Sequence, residues 1–189
     1  MANRHLSVAS SCDDFGELPR GINHIGVTVP DLELATVFFQ QALGAKWAYD
    51  GLTSDDEPRQ GIIVEKQLNL PQGAKIIKQR VFRLGNGPNL EVFEIKAPTQ
   101  RPPLKLNDFG INHLSLYCDD IEACLARIKA AGGVAIDELH ENSKHEDTPN
   151  NASIYTLTPW HMLIELQTIP NGYYYDEQSE ATVWCPQRI

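Results

Sequence analysis

Apolar and polar positions alternate over residues 22–29, with Ile25, Val27 and Val29 on one face and His24, Gly26 and Thr28 on the other. The pattern predicts a strand with one buried and one polar face. Pro30-Asp31 ends it. Asp31 is placed to cap a following helix, and Glu33 suits the positive end of its dipole. Leu34, Phe38 and Leu43, with Ala35 and Ala42, form the apolar stripe of that helix, and Gly44 stops it. Residues 46–49 read as a second strand. Residues 50–73 are less regular, with a loop at Asp55-Asp56-Glu57-Pro58 and a short helix over 62–70 closed by Pro71-Gln72-Gly73. Strands over 76–84 and 90–95 flank the turn Gly85-Asn86-Gly87-Pro88, and the stretch 98–106, with Pro102-Pro103, is a linker.

The pattern then begins again. Gly21-Ile22-Asn23-His24 returns as Gly110-Ile111-Asn112-His113, and residues 21–44 align with 110–133 without a gap. Leu114, Leu116 and Cys118 share one face of the new strand, and His113, Ser115 and Tyr117 the other. Asp120 caps a helix whose Ile121, Cys124, Leu125 and Ile128 recur at helical spacing, and Gly132-Gly133 ends it. A short strand (134–136), a polar loop (140–151) and a hairpin of 154–157 and 162–168 around Thr158-Pro159-Trp160-His161 complete the copy. The expectation is an α+β fold of two tandem βαβββ modules. Its parts are an arm (1–20), a first module (21–98), a linker (99–109), a second module (110–169) and a tail (170–189). Tyr173, Tyr174, Tyr175 and Trp184 make the tail too aromatic to hang free, so it is expected to pack on the body or on a partner subunit.

Composition acts mainly by exclusion. The chain has 189 residues, enough for one domain or two small modules sharing a core, and 42% hydrophobic with 22% charged residues argues against disorder. Net charge is −9 and no Lys/Arg-rich run offers a footprint for phosphates, which disfavours a nucleic-acid partner. No apolar run is long enough to span a membrane, and residues 1–20 lack the apolar core of a secretion signal, so a cytoplasmic location is expected. Cys12, Cys118, Cys124 and Cys185 lack C-x-x-C spacing and read as free thiols.

Each module closes with a strand that carries acid among apolar residues. In Leu163-Ile164-Glu165-Leu166, packing Ile164 and Leu166 on the helix leaves Glu165 on the opposite face. Leu90-Glu91-Val92-Phe93-Glu94-Ile95 offers two acids, and the matching alternation selects Glu91, with Glu94 as the alternative. His24, Glu91, His113 and Glu165 thus occupy matched non-helix positions. Imidazole nitrogen with carboxylate oxygen is a donor set for one divalent ion: zinc, nickel, cobalt, manganese or iron. His5, His140, His145 and His161 lie in the arm, a polar loop and a hairpin turn, and read as non-ligands.

These residues resemble the vicinal oxygen chelate superfamily, which includes glyoxalase I, methylmalonyl-CoA epimerase, fosfomycin- and bleomycin-resistance proteins and extradiol dioxygenases. The matching text is residues 24–32, Phe38-Phe39, Leu43-Gly44, His113-Leu114-Ser115-Leu116, Ala131-Gly132-Gly133 and Ile164-Glu165-Leu166. The resemblance implies paired βαβββ modules forming a curved mixed sheet around a metal-binding cavity, with a divalent metal held by His24, Glu91, His113 and Glu165. It also implies Glu165 as the primary acid/base, with Glu91 across the metal. Isomerase, epimerase or lyase chemistry beside a metal-chelated carbonyl of a small molecule follows, in a homodimer. The alternatives are an Fe(II) extradiol-type dioxygenase and a metal-free, bleomycin-resistance-like binding protein. Lys46 is the one basic residue close after the first helix, and no basic cluster marks a coenzyme A site. Trp47, Tyr49, Phe93 and Tyr117 are candidates to line an aromatic pocket.

Overall fold

The computed structural model describes residues 19–187, so most of the arm, with His5 and Cys12, lies outside the described residues. The first half comprises β1 (His24–Val29), α1 (Leu32–Leu43), β2 (Lys46–Leu52), β3 (Arg59–Gln60), α2 (Ile62–Leu68), β4 (Lys75–Arg83) and β5 (Asn89–Lys96). The second comprises β6 (His113–Tyr117), α3 (Ile121–Ala130), β7 (Val134–Ala135), β8 (Ala152–Leu157) and β9 (Leu163–Thr168). The strands form two sheets, ordered β1-β5-β4-β2 with β3 beside β4, and β6-β9-β8-β7. Both are mixed, since β1–β5 and β6–β9 are parallel and the remaining pairs antiparallel. The class and the βαβββ repeat are those expected, with β3 and α2 as additions to the first half and the mixed sheet divided in two.

The helices start where capping predicts. Asp31 accepts from the N–H groups of Glu33 and Leu34, both at 2.9 Å, and Asp120 from Ala123 at 2.9 Å. The stripe of α1 shares Ala35, Phe38 and Ala42 with the sequence reading but adds Leu32 and Phe39, and Leu43 is only partly buried. Leu32, Ala35, Phe38, Phe39 and Ala42 are buried, while Leu34 is 50% exposed. A stripe that starts at Leu32 recurs every three or four residues, which leaves Leu34 on the far side of the helix. A second carboxylate steadies the helix start, since Glu94 of β5 accepts from the N–H of Leu32 at 3.1 Å. Lys96 and Lys78 flank Glu94 at 3.4 and 3.9 Å. β2 runs to Leu52, beyond the expected end at residue 49, because its pairing with β4 continues through bulges.

One aromatic cluster joins the halves. Trp160, from the turn between β8 and β9, meets Phe38 and Phe39 of α1 edge-on, each at 5.4 Å between centroids. Phe39 in turn lies 6.0 Å from Phe82 of β4. α1 packs on α3. It has no basic residue in its last turn, and Arg127 of α3 donates to its terminal carbonyls, at 2.6 Å to Gln41 and 3.3 Å to Ala42. The tail packs on the body: Tyr174 N–H donates to His145 O at 2.8 Å, Thr148 Oγ1 to Gly172 O at 2.8 Å, and Asn86 Nδ2 to Gln187 O at 2.9 Å. Cys118, Cys124 and Cys185 are free. Among the described residues no helix is long and apolar enough to cross a membrane.

Two classes of substitution separate these contributions in urea unfolding. Phe39→Ala is expected to cost about 3–5 kcal/mol through the cavity it leaves, whereas Leu34→Gln should stay within about 0.5 kcal/mol. Glu94→Ala should cost about 1 kcal/mol by freeing the start of α1. Stability equal to that of the wild type would contradict its anchoring role.

Candidate metal centre

The repeated tetrad has a physical reason at three of its four positions. Gly21 and Gly110 take φ of 151° and 120°, backbone that glycine adopts without strain. Asn23 Oδ1 lies 2.8 Å from His24 Nδ1, and Asn112 Oδ1 lies 2.7 Å from His113 Nδ1. Asn112 is oriented by donation from its Nδ2 to Leu106 O at 3.2 Å, so its oxygen faces the ring. An amide oxygen only accepts. The Nδ1 of each ring therefore carries a proton, and Nε2 is the ring nitrogen turned to the site. Ile22 and Ile111, between the glycine and the asparagine, are 71% and 76% exposed.

Strand register then delivers the acids. His24 stands opposite Asn89 and Gly26 opposite Glu91; in the second sheet His113 stands opposite Leu163 and Ser115 opposite Glu165. Each glutamate is thus the diagonal neighbour of its histidine, across a parallel pair, with a small residue directly opposite. His24 Nε2 lies 3.2 Å from Glu91 Oε2, and His113 Nε2 lies 3.6 Å from Glu165 Oε2. Leu90, Val92, Ile164 and Leu166 are buried on the other faces. Glu91 is therefore the acid beside His24, while Glu94 serves the start of α1.

Two neighbours escaped the sequence reading. Gln79 of β4 donates from Nε2 to Glu91 Oε1 at 2.5 Å. Tyr155 of β8 pairs directly with Glu165, and its ring meets His113 edge-on at 5.7 Å. Burial, and then the charge and hydrogen bond of Glu165, push the Tyr155 phenol up from its ordinary 10.0. The alternation of β8, with Ile154 buried and Tyr155 on the polar face, carries a signal for the tyrosine; no motif marks Gln79.

The four candidates form two pairs. Among the described residues, no three His, Cys, Asp or Glu side chains of one chain come close enough to hold an ion together. Between β1 and β6 lies a cavity of about 520 Å³, lined by Val27, Val29, Leu114, Met162 and the linker residues Pro102 and Leu104. His113 reaches it, but His24, Glu91 and Glu165 do not line it. The aromatic candidates are also divided: Tyr117 donates its hydroxyl to Ile169 O, whereas Trp47 and Tyr49 are 57% and 56% exposed. His140 meets Ser153, His145 holds the tail and His161 occupies a left-handed turn at φ 69°, so none joins either pair.

The donor chemistry suits a cation. In each pair an imidazole Nε2 faces a carboxylate oxygen, an arrangement favourable when a proton or a metal ion lies between them. Nitrogen and oxygen donors of this kind fit a divalent transition ion. Each pair supplies two donors, so an ion that takes three or four protein ligands would need one pair of each kind.

The fold and site can be set beside known proteins. Residues 23–148 match the family model described as glyoxalase/bleomycin resistance protein/dioxygenase superfamily. A 2-epi-5-epi-valiolone epimerase from Actinomyces sp is 32% identical over 167 residues, 88% of each chain. An ethylmalonyl-CoA/methylmalonyl-CoA epimerase from Cereibacter sphaeroides is 32% identical over 111 residues, 59% of this chain and 70% of that protein. The crystal structure of a glyoxalase family protein from Bacillus cereus superposes with a TM-score of 0.61 at 16% identity, covering 83% of this chain and 98% of that one. With a family model over most of its length and an epimerase relative along nearly all of it, the chain belongs to the glyoxalase/bleomycin resistance protein/dioxygenase superfamily.

Proposed function

We propose that the chain is a divalent-metal-dependent epimerase that inverts a carbon next to a carbonyl of a small molecule. In this reading His24, Glu91, His113 and Glu165 hold the ion, and Glu165 is the primary acid/base. The observation that carries it is the twin His–Glu diagonal, with each Nε2 turned to a carboxylate oxygen at 3.2 and 3.6 Å. Both curated relatives are named as epimerases, which supports inversion over other chemistries of the superfamily. The longer match is to an enzyme named for a valiolone, a ketone, and covers 88% of this chain against 59% for the coenzyme A thioester enzyme. A hydroxylated ketone is therefore the favoured substrate class.

Inversion requires a proton to leave one face of a carbon and return to the other. Two carboxylates from different halves of the fold, one on each side of the substrate, meet that requirement. A bound divalent ion would supply Lewis-acid stabilisation of the charge that develops on the carbonyl oxygen. Glu165 would remove or return the proton on its side, and Glu91 would face it from the other half.

The division into pairs points to a homodimer as the functional unit. β1 and β6 each terminate a sheet, so each has an outer edge without a strand partner among the described residues. Ile22, Leu106, Phe109 and Ile111, next to the starts of these strands, are all exposed apolar side chains. A two-fold partner that sets its β6 edge against this chain's β1 would join the first pair of one copy to the second pair of the other, twice per dimer.

Glu165→Gln should lower turnover by about 10²–10⁴-fold, read as exchange of the α-proton of a hydroxyketone with deuterated solvent, while the unfolding midpoint stays near that of the wild type. Turnover within a few-fold of wild type would remove Glu165 as acid/base. A mixing experiment tests the dimer. Glu91→Ala and Glu165→Ala are each expected to be inactive alone. When they are unfolded together and refolded, about a quarter of the sites should be intact, because each mixed dimer carries one site built from two unaltered halves. No recovery would place all ligands of a site in one chain.

A further inference from the structure

We infer that Gln79 is a positioning residue that holds Glu91 in place as a metal ligand, from a seat opened for it by Gly51. The inference rests on the metal-site reading above. In the β4–β5 ladder, Val81 stands opposite Glu91 and Gln79 opposite Phe93. Gln79 therefore reaches Glu91 along a diagonal, and its Nε2 donates to Oε1 at 2.5 Å. The other oxygen, Oε2, lies 3.2 Å from His24 Nε2. Each oxygen of the carboxylate thus has its own fixed neighbour, and the group cannot turn without giving one up. An amide donor is neutral, so it adds no positive charge to compete with a cation for the same carboxylate, as a lysine or arginine in its place would.

Gly51 makes this placement possible. On β2, Asp50 pairs with Arg80 and Leu52 pairs with Gln79, so Gly51 is the extra residue of a bulge. A Cβ at Gly51 would lie 2.8 Å from Gln79 Oε1 and 2.9 Å from its Cδ, so the flexible amide end of Gln79 would have to move from its place. The bulge and the missing Cβ together leave the amide the room from which it reaches Glu91. The second half has no such device. There β8 and β9 pair without a break, and Glu165 is met by the phenol of Tyr155 directly opposite. The amide clamp marks the first half as the side that holds its carboxylate still.

The test is calorimetric titration of zinc into metal-free full-length protein, alongside thermal unfolding of the same metal-free samples. Gln79→Met keeps the length of the side chain and removes the donor. It should weaken zinc binding about 10- to 100-fold, the usual effect of losing a partner of a metal ligand, with little change in the metal-free unfolding midpoint. Gly51→Ala, which replaces no ligand and no donor, should weaken zinc binding in the same direction. The double variant should bind no more weakly than Gln79→Met alone, because both changes remove one interaction. Zinc affinity equal to wild type in Gln79→Met would overturn the inference. Should that variant not fold, wild-type affinity in Gly51→Ala would do so. Wild-type protein that takes up no zinc, manganese or nickel would instead remove the metal reading itself, and the two failures are told apart by the wild-type titration.

Discussion

The parallel pairing of β1 with β5, and of β6 with β9, is the constraint on which the rest of the structure depends. Side chains alternate along a strand, so a slip of one residue would send Glu91 or Glu165 to the helix side. What prevents the slip is apolar. Val29, Leu90 and Val92 in the first half, and Leu114, Ile164 and Leu166 in the second, are buried on the helix faces. Burying such a side chain contributes about 1.5–3 kcal/mol, so several in each half outweigh the cost of half-burying a carboxylate beside an imidazole. The polar faces are arranged by the apolar ones.

Packing between the halves determines how the two His–Glu pairs relate. Trp160 is locked edge-on against Phe38 and Phe39, and Arg127 ties the end of α1 to α3. These contacts join the modules through their helices, while the outer edges of β1 and β6 stay without strand partners among the described residues. A chain built this way carries two separate His–Glu pairs, each with an imidazole and a carboxylate. Under the proposed pairing, metal binding and dimer formation become linked equilibria, each strengthening the other.

Much of this was legible in the sequence because it rests on short periods. The repeat of Gly-Ile-Asn-His, the caps at Asp31 and Asp120 and the choice of Glu91 over Glu94 follow from alternation and capping, which depend on neighbours within a few residues. What was not legible depends on distant register. Apolar spacing alone places Leu34 in the buried stripe because it does not say where the stripe begins; Leu32, beside the strand end, decides it. Gln79 lies next to Glu91 only because β4 pairs with β5 in one register and β2 bulges at Gly51, and neither is written in local pattern. The separation of the four candidates into two pairs also lay beyond alternation. Alternation says which face a residue occupies, but not how two faces in different modules are turned.

The duplication explains why the two glutamates need not share a role. Both halves use the same register, with Gly26 or Ser115 opposite the acid and asparagine behind the histidine. That shared frame fixes what any ion would require: two nitrogen and two oxygen donors in equivalent settings. The strands that flank the frame are free to differ, since β4 and β8 touch the acids without carrying ligands. In the first half the flank supplies an amide at 2.5 Å, and in the second it supplies a phenol that also packs on the histidine ring. An amide orients a carboxylate but cannot pass it a proton, whereas a hydroxyl can both orient it and take part in proton movement. In the proposed epimerase one carboxylate works on each side of the carbon, so the two need not have identical neighbours. Varying the flanks and keeping the frame gives each carboxylate its own hydrogen-bonding neighbour without disturbing the four matched positions.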